Sequence, residues 1–248
     1  NALPTMFSIY CKELSSFFST LTGYLAGAVF LVVVGLLMWV FPSQWNVLST
    51  GVASAGTLFV LAPWVFLFLV PSVTMRLFSD ELREGTLPLL LSRPLSLWDI
   101  VLGKFCAAVT LCVLTLLPTV IYLASLSWLS SSPDAIDWGA TITSYLGLLL
   151  LAAVYSAIGL FTSSLTSNAL VAFLLAALIA VAAYVGFEGI ALLPALQGVE
   201  YLVVNLGIAE HYKSIQRGVI DTRDVVYFAA FIALALAAAR ARLAKLRA

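Results

Sequence analysis

Six runs of this chain are long, apolar and almost free of charge, and they leave few folds open. From Gly23 to Phe41 no residue is Asp, Glu, Lys or Arg. A helix of that length spans the hydrocarbon core of a bilayer, roughly 30 Å. Of 248 residues, 62% are hydrophobic and 10% charged, with mean hydropathy +1.09, whereas soluble domains carry about 25% charged residues. A water-soluble fold of this size cannot bury that much apolar surface. Hydrocarbon offers the backbone no water to bond, so each crossing must satisfy its own peptide groups. The expectation is an all-α integral membrane protein. The net charge is zero, so no basic excess points to nucleic acid.

The crossings read as residues 23–41, 52–75, 100–129, 139–161, 169–187 and 225–241, within one membrane domain covering 1–248. Gly23 and Gly27 form a small-xxx-small pair suited to close helix contact. Pro42 ends the first crossing, and Trp45 fits an aromatic belt. Pro63 and Pro71 predict kinks in the second, and Pro118 a break in the third. Ser96, with Asp99 three residues on, reads as a capping box at the start of the third crossing. Ahead of the first, residues 6–21 carry Phe7, Tyr10, Leu14, Phe17, Phe18 and Leu21 at helical spacing, with Lys12 and Glu13 elsewhere. That pattern predicts an elbow helix lying in the interface. No small-residue cleavage site follows the first apolar run, which therefore reads as an anchor rather than a signal peptide. Residues 188–224 are broken by Pro194, Gly198, Glu200 and Asn205 and read as short interfacial helices. A seventh span there is the competing assignment.

The distribution of cations decides the count. With six spans and both termini inside, the inner side holds Lys12, Arg76, Arg83, Arg93, Lys104, Arg240, Arg242, Lys245 and Arg247, and the outer side holds Lys213, Arg217 and Arg223. Seven spans would put the basic C-terminal tail outside. The positive-inside rule selects six, with Ser130–Asp137 and 188–224 outside.

Chemistry-bearing motifs are sparse. The sequence contains no G-x-x-x-x-G-K-[ST] phosphate loop, H-E-x-x-H or G-x-S-x-G. Cys11, Cys106 and Cys112 have neither disulfide nor metal-ligand spacing and read as small apolar fillers. The single His211 lies in a polar run without a partner cluster and reads as a solvated loop residue. Ser163 and Ser164 suit backbone satisfaction at a short turn. No crossing has a charge near its centre, which disfavours a proton- or ion-coupled carrier.

The densest charged segment is the inner loop 76–99, where Asp80, Glu81, Arg83 and Glu84 fall within five positions. Gly85 and Thr86 then break the segment before the apolar patch Leu87–Leu91. A charged helix beside an apolar knob at a membrane face suits docking to another protein. In this reading Leu82, Leu87, Leu89 and Leu90 supply buried contact and Glu81, Arg83 and Glu84 set register, with Asp80, Gly85 and Thr86 completing the docking segment. Glu188 and Glu200 are the acidic residues of the outer segment and form a candidate outer gate.

The loop's order is an acid/base cluster, G-T-L-P-L-L-L-S-R-P-L-S from Gly85 to Ser96, and then Gly103-Lys104-Phe105. It resembles the inner loop of bacterial ABC-exporter permeases. Leu61–Trp64 (L-A-P-W), Val70–Glu81, Gly186–Ile190 (G-F-E-G-I) and Arg217–Phe228 (R-G-V-I-D-T-R-D-V-V-Y-F) resemble, more narrowly, the GldF family of gliding-motility-associated permease subunits. The resemblance covers nearly the whole chain. It implies an elbow helix, six spans in the cell inner membrane, and a cytoplasmic coupling helix between spans two and three. It implies a separate ABC ATPase, GldA-like and in two copies, which binds ATP and Mg so that this chain needs no cofactor. It also implies a second membrane subunit, GldG-like, with a periplasmic domain. Pro88 departs from the polar residue expected there. Proline is accepted in a helix's first turn, so the coupling segment is expected to restart at that point. An anchoring subunit that holds a periplasmic complex without passing a substrate is the alternative function. A membrane enzyme is disfavoured by the missing catalytic cluster.

The topology has a direct test. In a background with the three natural cysteines replaced, cysteines introduced at Asp134 and Lys213 should react with a reagent applied outside, and one at Arg93 should not. External labelling at Arg247 would refute the six-span reading.

Overall fold

The computed structural model describes residues 6–51, 54–130, 136–193 and 198–247. Pro133 and Asp134 of the polar loop, and Pro194 of the outer segment, lie outside the described residues. The helices are, in chain order, α1 (Met6–Ser19), α2 (Leu21–Gly35), α3 (Val47–Thr50), α4 (Gly56–Thr74), α5 (Arg76–Arg83), α6 (Leu87–Leu91) and α7 (Leu97–Leu116), followed by α8 (Val120–Leu129), α9 (Trp138–Ser163), α10 (Ala169–Val181), α11 (Phe187–Ala191), α12 (Glu200–Val204), α13 (Ile208–Gln216) and α14 (Thr222–Arg247). Six helical stretches are long and apolar enough to cross a membrane: Gly23–Val40, Gly56–Arg83, Leu97–Leu129, Trp138–Ser163, Ala169–Ala191 and Thr222–Arg247. This is the expected all-α membrane architecture. The Ser96–Asp99 capping box is present, and a short 3-10 turn, Leu117–Thr119, interrupts the third crossing at Pro118.

The fourth crossing is the hub. Buried residues make up 78% of its apolar window, against 22% for the first and 28% for the last, so α9 is central and α2 and α14 are peripheral. Its inward positions include Ala152, Ala153, Ala157 and Gly159, small side chains that let neighbouring backbones approach. At Gly159 the approach is extreme: an added Cβ would lie 1.9 Å from Oγ1 and 2.8 Å from Cβ of Thr74 on α4. Where water provides no hydrophobic drive between helices, such close contact is what holds them together.

Two elements differ from the sequence reading. The second crossing continues through α5 to Arg83, so the first third of the inner loop is a helical extension. Nothing between Met75 and Glu84 breaks a helix, and the first left-handed residue is Gly85 at φ +68°. The elbow helix α1 buries Ile9, Glu13 and Phe17, one turn apart, so of the predicted stripe, among the described side chains, only Phe17 is fully buried, and Ile9 and Glu13, outside it, join the inner side. Phe7 is exposed and Leu14 and Phe18 are half-buried, so a protein contact defines α1's inner side.

Gly159→Ala should lower the stability of the detergent-solubilised protein by about 1–3 kcal/mol, the usual range for overpacking, read as an earlier thermal unfolding midpoint. Gly186→Ala is the matched control, because its added methyl would meet only Ala182, at 3.9 Å.

Candidate functional site

The charged loop folds as two short helices joined at a left-handed glycine. Helix α5 ends in its last i to i−4 bond, Glu84 N–H to Asp80 O at 2.9 Å, and a 6→1 closure in which the Thr86 N–H donates to Glu81 O at 3.0 Å, with Gly85 supplying the positive φ that a side chain would strain. Helix α6 then starts at Leu87 with Pro88 in its first turn, where the missing N–H has no helical partner to lose.

The two faces of this segment do different things. Inward, Leu77, Phe78, Ser79, Leu87 and Leu91 are buried, and Leu82 and Leu90 pack partly against the core. Outward, Arg83, Glu84, Gly85, Thr86, Pro88 and Leu89 are exposed, Leu89 by 69%. Asp80 and Arg83 pair along the helix at 3.4 Å. Beside the exposed face, a cleft of about 440 Å³ is lined by Ile9, Lys12, Glu84, Leu89 and Arg93 among others. The predicted residues are thus brought together but split. Leu87 belongs to the chain's own core, and Leu89 is the apolar side chain left standing out.

Glu81 does not face outward either. Its Oε1 accepts from Lys104 Nζ at 2.9 Å, as does Oε1 of Glu13 on α1 at 2.9 Å, and Leu77 O accepts at 2.6 Å. The ammonium also lies 5.0 Å from the centroid of the Phe78 ring. Lys104 is 1% exposed, so all three of its donors are used inside the protein. Exposed Lys12 approaches Glu13 and Glu81 at 3.6 and 3.5 Å, pairs worth little in water. Gly103 makes the geometry reachable: Ile9 of α1 sits where a Gly103 side chain would be, 3.0 Å from an added Cβ. One lysine therefore ties α1, α5 and the third crossing together. The sequence reading placed Lys104 among the inner-side cations and in the Gly103-Lys104-Phe105 motif, and Glu13 on the polar side of the elbow helix, without pairing them. The available signal was a lysine two turns into an apolar helix, which requires a buried partner.

At the opposite end, α13 buries Ile208, Ala209, Tyr212 and Ile215 against the bundle. Pro63 has no N–H to donate to Phe59 O, and the Tyr212 hydroxyl donates to that carbonyl at 2.6 Å. Burial pushes the Tyr212 phenol well above its ordinary range, so it remains a donor. His211 is not a solvated loop residue. Its Nε2 donates to Asn205 O at 2.9 Å, its Nδ1 lies 2.7 Å from Asp224 Oδ1, and its ring stacks on Tyr227 with centroids 4.0 Å apart. The turn through Gly218 folds α14 back beside α13, which supplies partners that lie distant in sequence. Of the candidate gate residues, Glu188 pairs with Lys213, and Glu200 is exposed in the first turn of α12.

Residues 57–219 match the family model described as ABC-2 family transporter protein. The chain belongs to the ABC-2 family. It is a multi-pass membrane permease subunit of an ABC transporter, and the family implies an ABC ATPase partner. No curated protein matches the chain. In this ABC-2 permease, the matched region contains the whole α5–α6 segment, Lys104 and α13, and leaves out the elbow helix that supplies Glu13.

Lys104→Met leaves the two largely buried carboxylates with only the exposed Lys12 beside them and should cost up to about 3–5 kcal/mol, the range for breaking a buried pair. Adding Glu13→Gln and Glu81→Gln removes the stranded charges and should recover most of that loss. Thermal unfolding of the single and triple variants in the same detergent checks both statements.

Proposed function

We propose that the exposed face of α5–α6 is the coupling surface on which the ATPase subunit sits, at the cytoplasmic side of the inner membrane. ATP and Mg are held by that partner, present in two copies, and not by this chain. The observation that carries this reading is an apolar side chain, Leu89, standing out among charged residues on a segment whose other face is fixed to the bundle by Lys104. ATP binding closes the two ATPase copies and displaces the segment, and the spans shift as rigid bodies. ATP drives this change only by its differential affinity for the two arrangements. The narrower assignment, a gliding-motility-associated permease working beside a GldG-like subunit with a periplasmic domain, is supported by the motifs at Gly186–Ile190 and Arg217–Phe228. The outer helices are the corresponding gate, with α13 as its fixed part and Glu188–Lys213 as its exposed clasp.

Pull-down of the ATPase by tagged permease variants separates the roles. Burial of one leucine contributes about 1.5–3 kcal/mol, so Leu89→Ala should weaken ATPase binding roughly tenfold to a hundredfold at unchanged membrane yield. Leu87→Ala should lower yield, as a core truncation of about 2–5 kcal/mol does, without changing the affinity of what folds. Reversing Arg83 and Glu84 together should uncouple hydrolysis while the six spans still insert. Normal binding and coupling in the Leu89 and charge-reversal variants would reject the coupling surface.

A further inference from the structure

The single histidine of the chain sits between two acceptors. Nε2 of His211 is 2.9 Å from Asn205 O, and Nδ1 is 2.7 Å from Asp224 Oδ1. A backbone carbonyl has no proton to give, so Nε2 carries one. A neutral ring would then turn the Nδ1 lone pair toward a carboxylate oxygen, and at that distance the two lone pairs repel. A second proton therefore lies between Nδ1 and Oδ1. Asp224 stands in the first turn of α14, where the helix dipole favours a carboxylate. The proton thus rests on the ring, and the pair is an imidazolium facing a carboxylate.

Among the described residues no other cation pairs with Asp224. It is 5% exposed, and its Oδ2 is buried without a hydrogen-bond partner, so the charge depends on His211. The neighbouring ionisable groups are engaged elsewhere. On α13, Glu210 pairs with Arg217, and Lys213 with Glu188 of α11. Ahead of α14, Asp221 accepts from the Arg223 N–H, and the Arg223 side chain is exposed. The fourth and fifth crossings, packed against α13, face it with phenols: Tyr145, bonded to Thr119, and the buried Tyr155 and Tyr184. Asp137 caps α9 beside Gln216.

The pair holds one particular part of the chain. Helix α13 is seated on α4 and α9 through hydroxyl contacts, Tyr212 to Phe59 O and Ser144 to Gln216 O. Helix α12 buries none of its residues. The turn that follows it meets the last crossing through His211 and through Tyr227, whose hydroxyl donates to Leu206 O.

We propose that His211 and Asp224 form a proton-held latch between the Asn205 turn and the head of α14, closed when the ring is charged and released when it is neutral. The folded arrangement binds the charged ring, so the latch's stabilisation is present at low pH. It is lost as pH rises through the interval of about 5 to 8 in which histidine changes charge. Release frees the Asn205 turn and α12, while α13 keeps its seat. The latch lies at the opposite end of the bundle from the coupling surface and does not depend on it.

Because the chain has one histidine, its ring can be read directly. The full chain, purified through a histidine-free tag and reconstituted in nanodiscs, is labelled with nitrogen-15 histidine. The ring nitrogens are then followed by NMR across the titration range of histidine. Both nitrogens should carry protons at the acid end, and raising the pH should remove the Nδ1 proton alone. Asp224→Asn should need roughly tenfold more acid to hold that second proton, through loss of a charge-assisted contact. Hydrogen exchange, corrected for its intrinsic pH dependence, reads the release. Amides of α12 and the Asn205 turn should lose roughly tenfold or more of their protection across the same interval. His211→Phe keeps a ring against Tyr227 but cannot titrate, and should show no such change. A neutral Nδ1 at the acid end, or a titration unmoved by Asp224→Asn, would overturn the proposal. So would equal pH dependence of exchange in the unaltered protein and His211→Phe. The NMR and exchange readings on the unaltered protein test the latch even where a variant fails to fold: a neutral Nδ1 at the acid end, or protection constant with pH, rejects it.

Discussion

A lysine ammonium out of reach of water must find oxygen ligands, and Lys104 finds three, on three different parts of the chain. The desolvation of a buried charge is repaid only when geometry and hydrogen bonding are complete. That condition fixes the distance between α1, α5 and the third crossing more tightly than apolar packing would. Displacement of α5 must either carry α1 and α7 with it or strip Lys104 of two of its three acceptors, Glu81 and Leu77 O. The same contact divides the charged loop into a fixed face and an exposed face.

The far end is secured by a related logic. In a bilayer the apolar faces of helices gain little by leaving lipid for one another, so close contact and buried hydrogen bonds bear more of the specificity. Pro63 leaves a carbonyl free inside α4, and Tyr212 from α13 occupies it. Ser144 of α9 donates to Gln216 O at the end of α13, and His211 joins the Asn205 turn to Asp224 at the start of α14. A short helix with a polar outer face is thereby held as part of the bundle rather than resting on its surface. At the charged-loop end, Gly159 near the end of α9 takes the side chain of Thr74, the last residue of α4, against its backbone.

Where a charge was solitary within an apolar run, the chain's pattern was informative but incomplete. The crossings, the Ser96 cap, the break at Pro118 and the restart at Pro88 were legible, because each depends on residues a few positions apart and on the thickness of a bilayer. The division of the loop leucines was not. Leu87 and Leu89 are two residues apart on a helix of one and a half turns, and nothing local states which of them meets the bundle. Glu13 and His211 were read as facing water, and Glu81 as a docking charge, because their partners, Lys104 and Asp224, become neighbours only after the chain folds back.

By itself, the sequence determined that this protein is a helical membrane bundle of six crossings with one charged loop at a membrane face, since hydrophobic length and local capping are properties of contiguous residues. Only the tertiary structure decided which face of that loop is free, which acids are spent on Lys104, and that Tyr212 completes α4. Those outcomes depend on buried polar groups finding partners many residues away, and burial is created by packing rather than carried by the residues that undergo it.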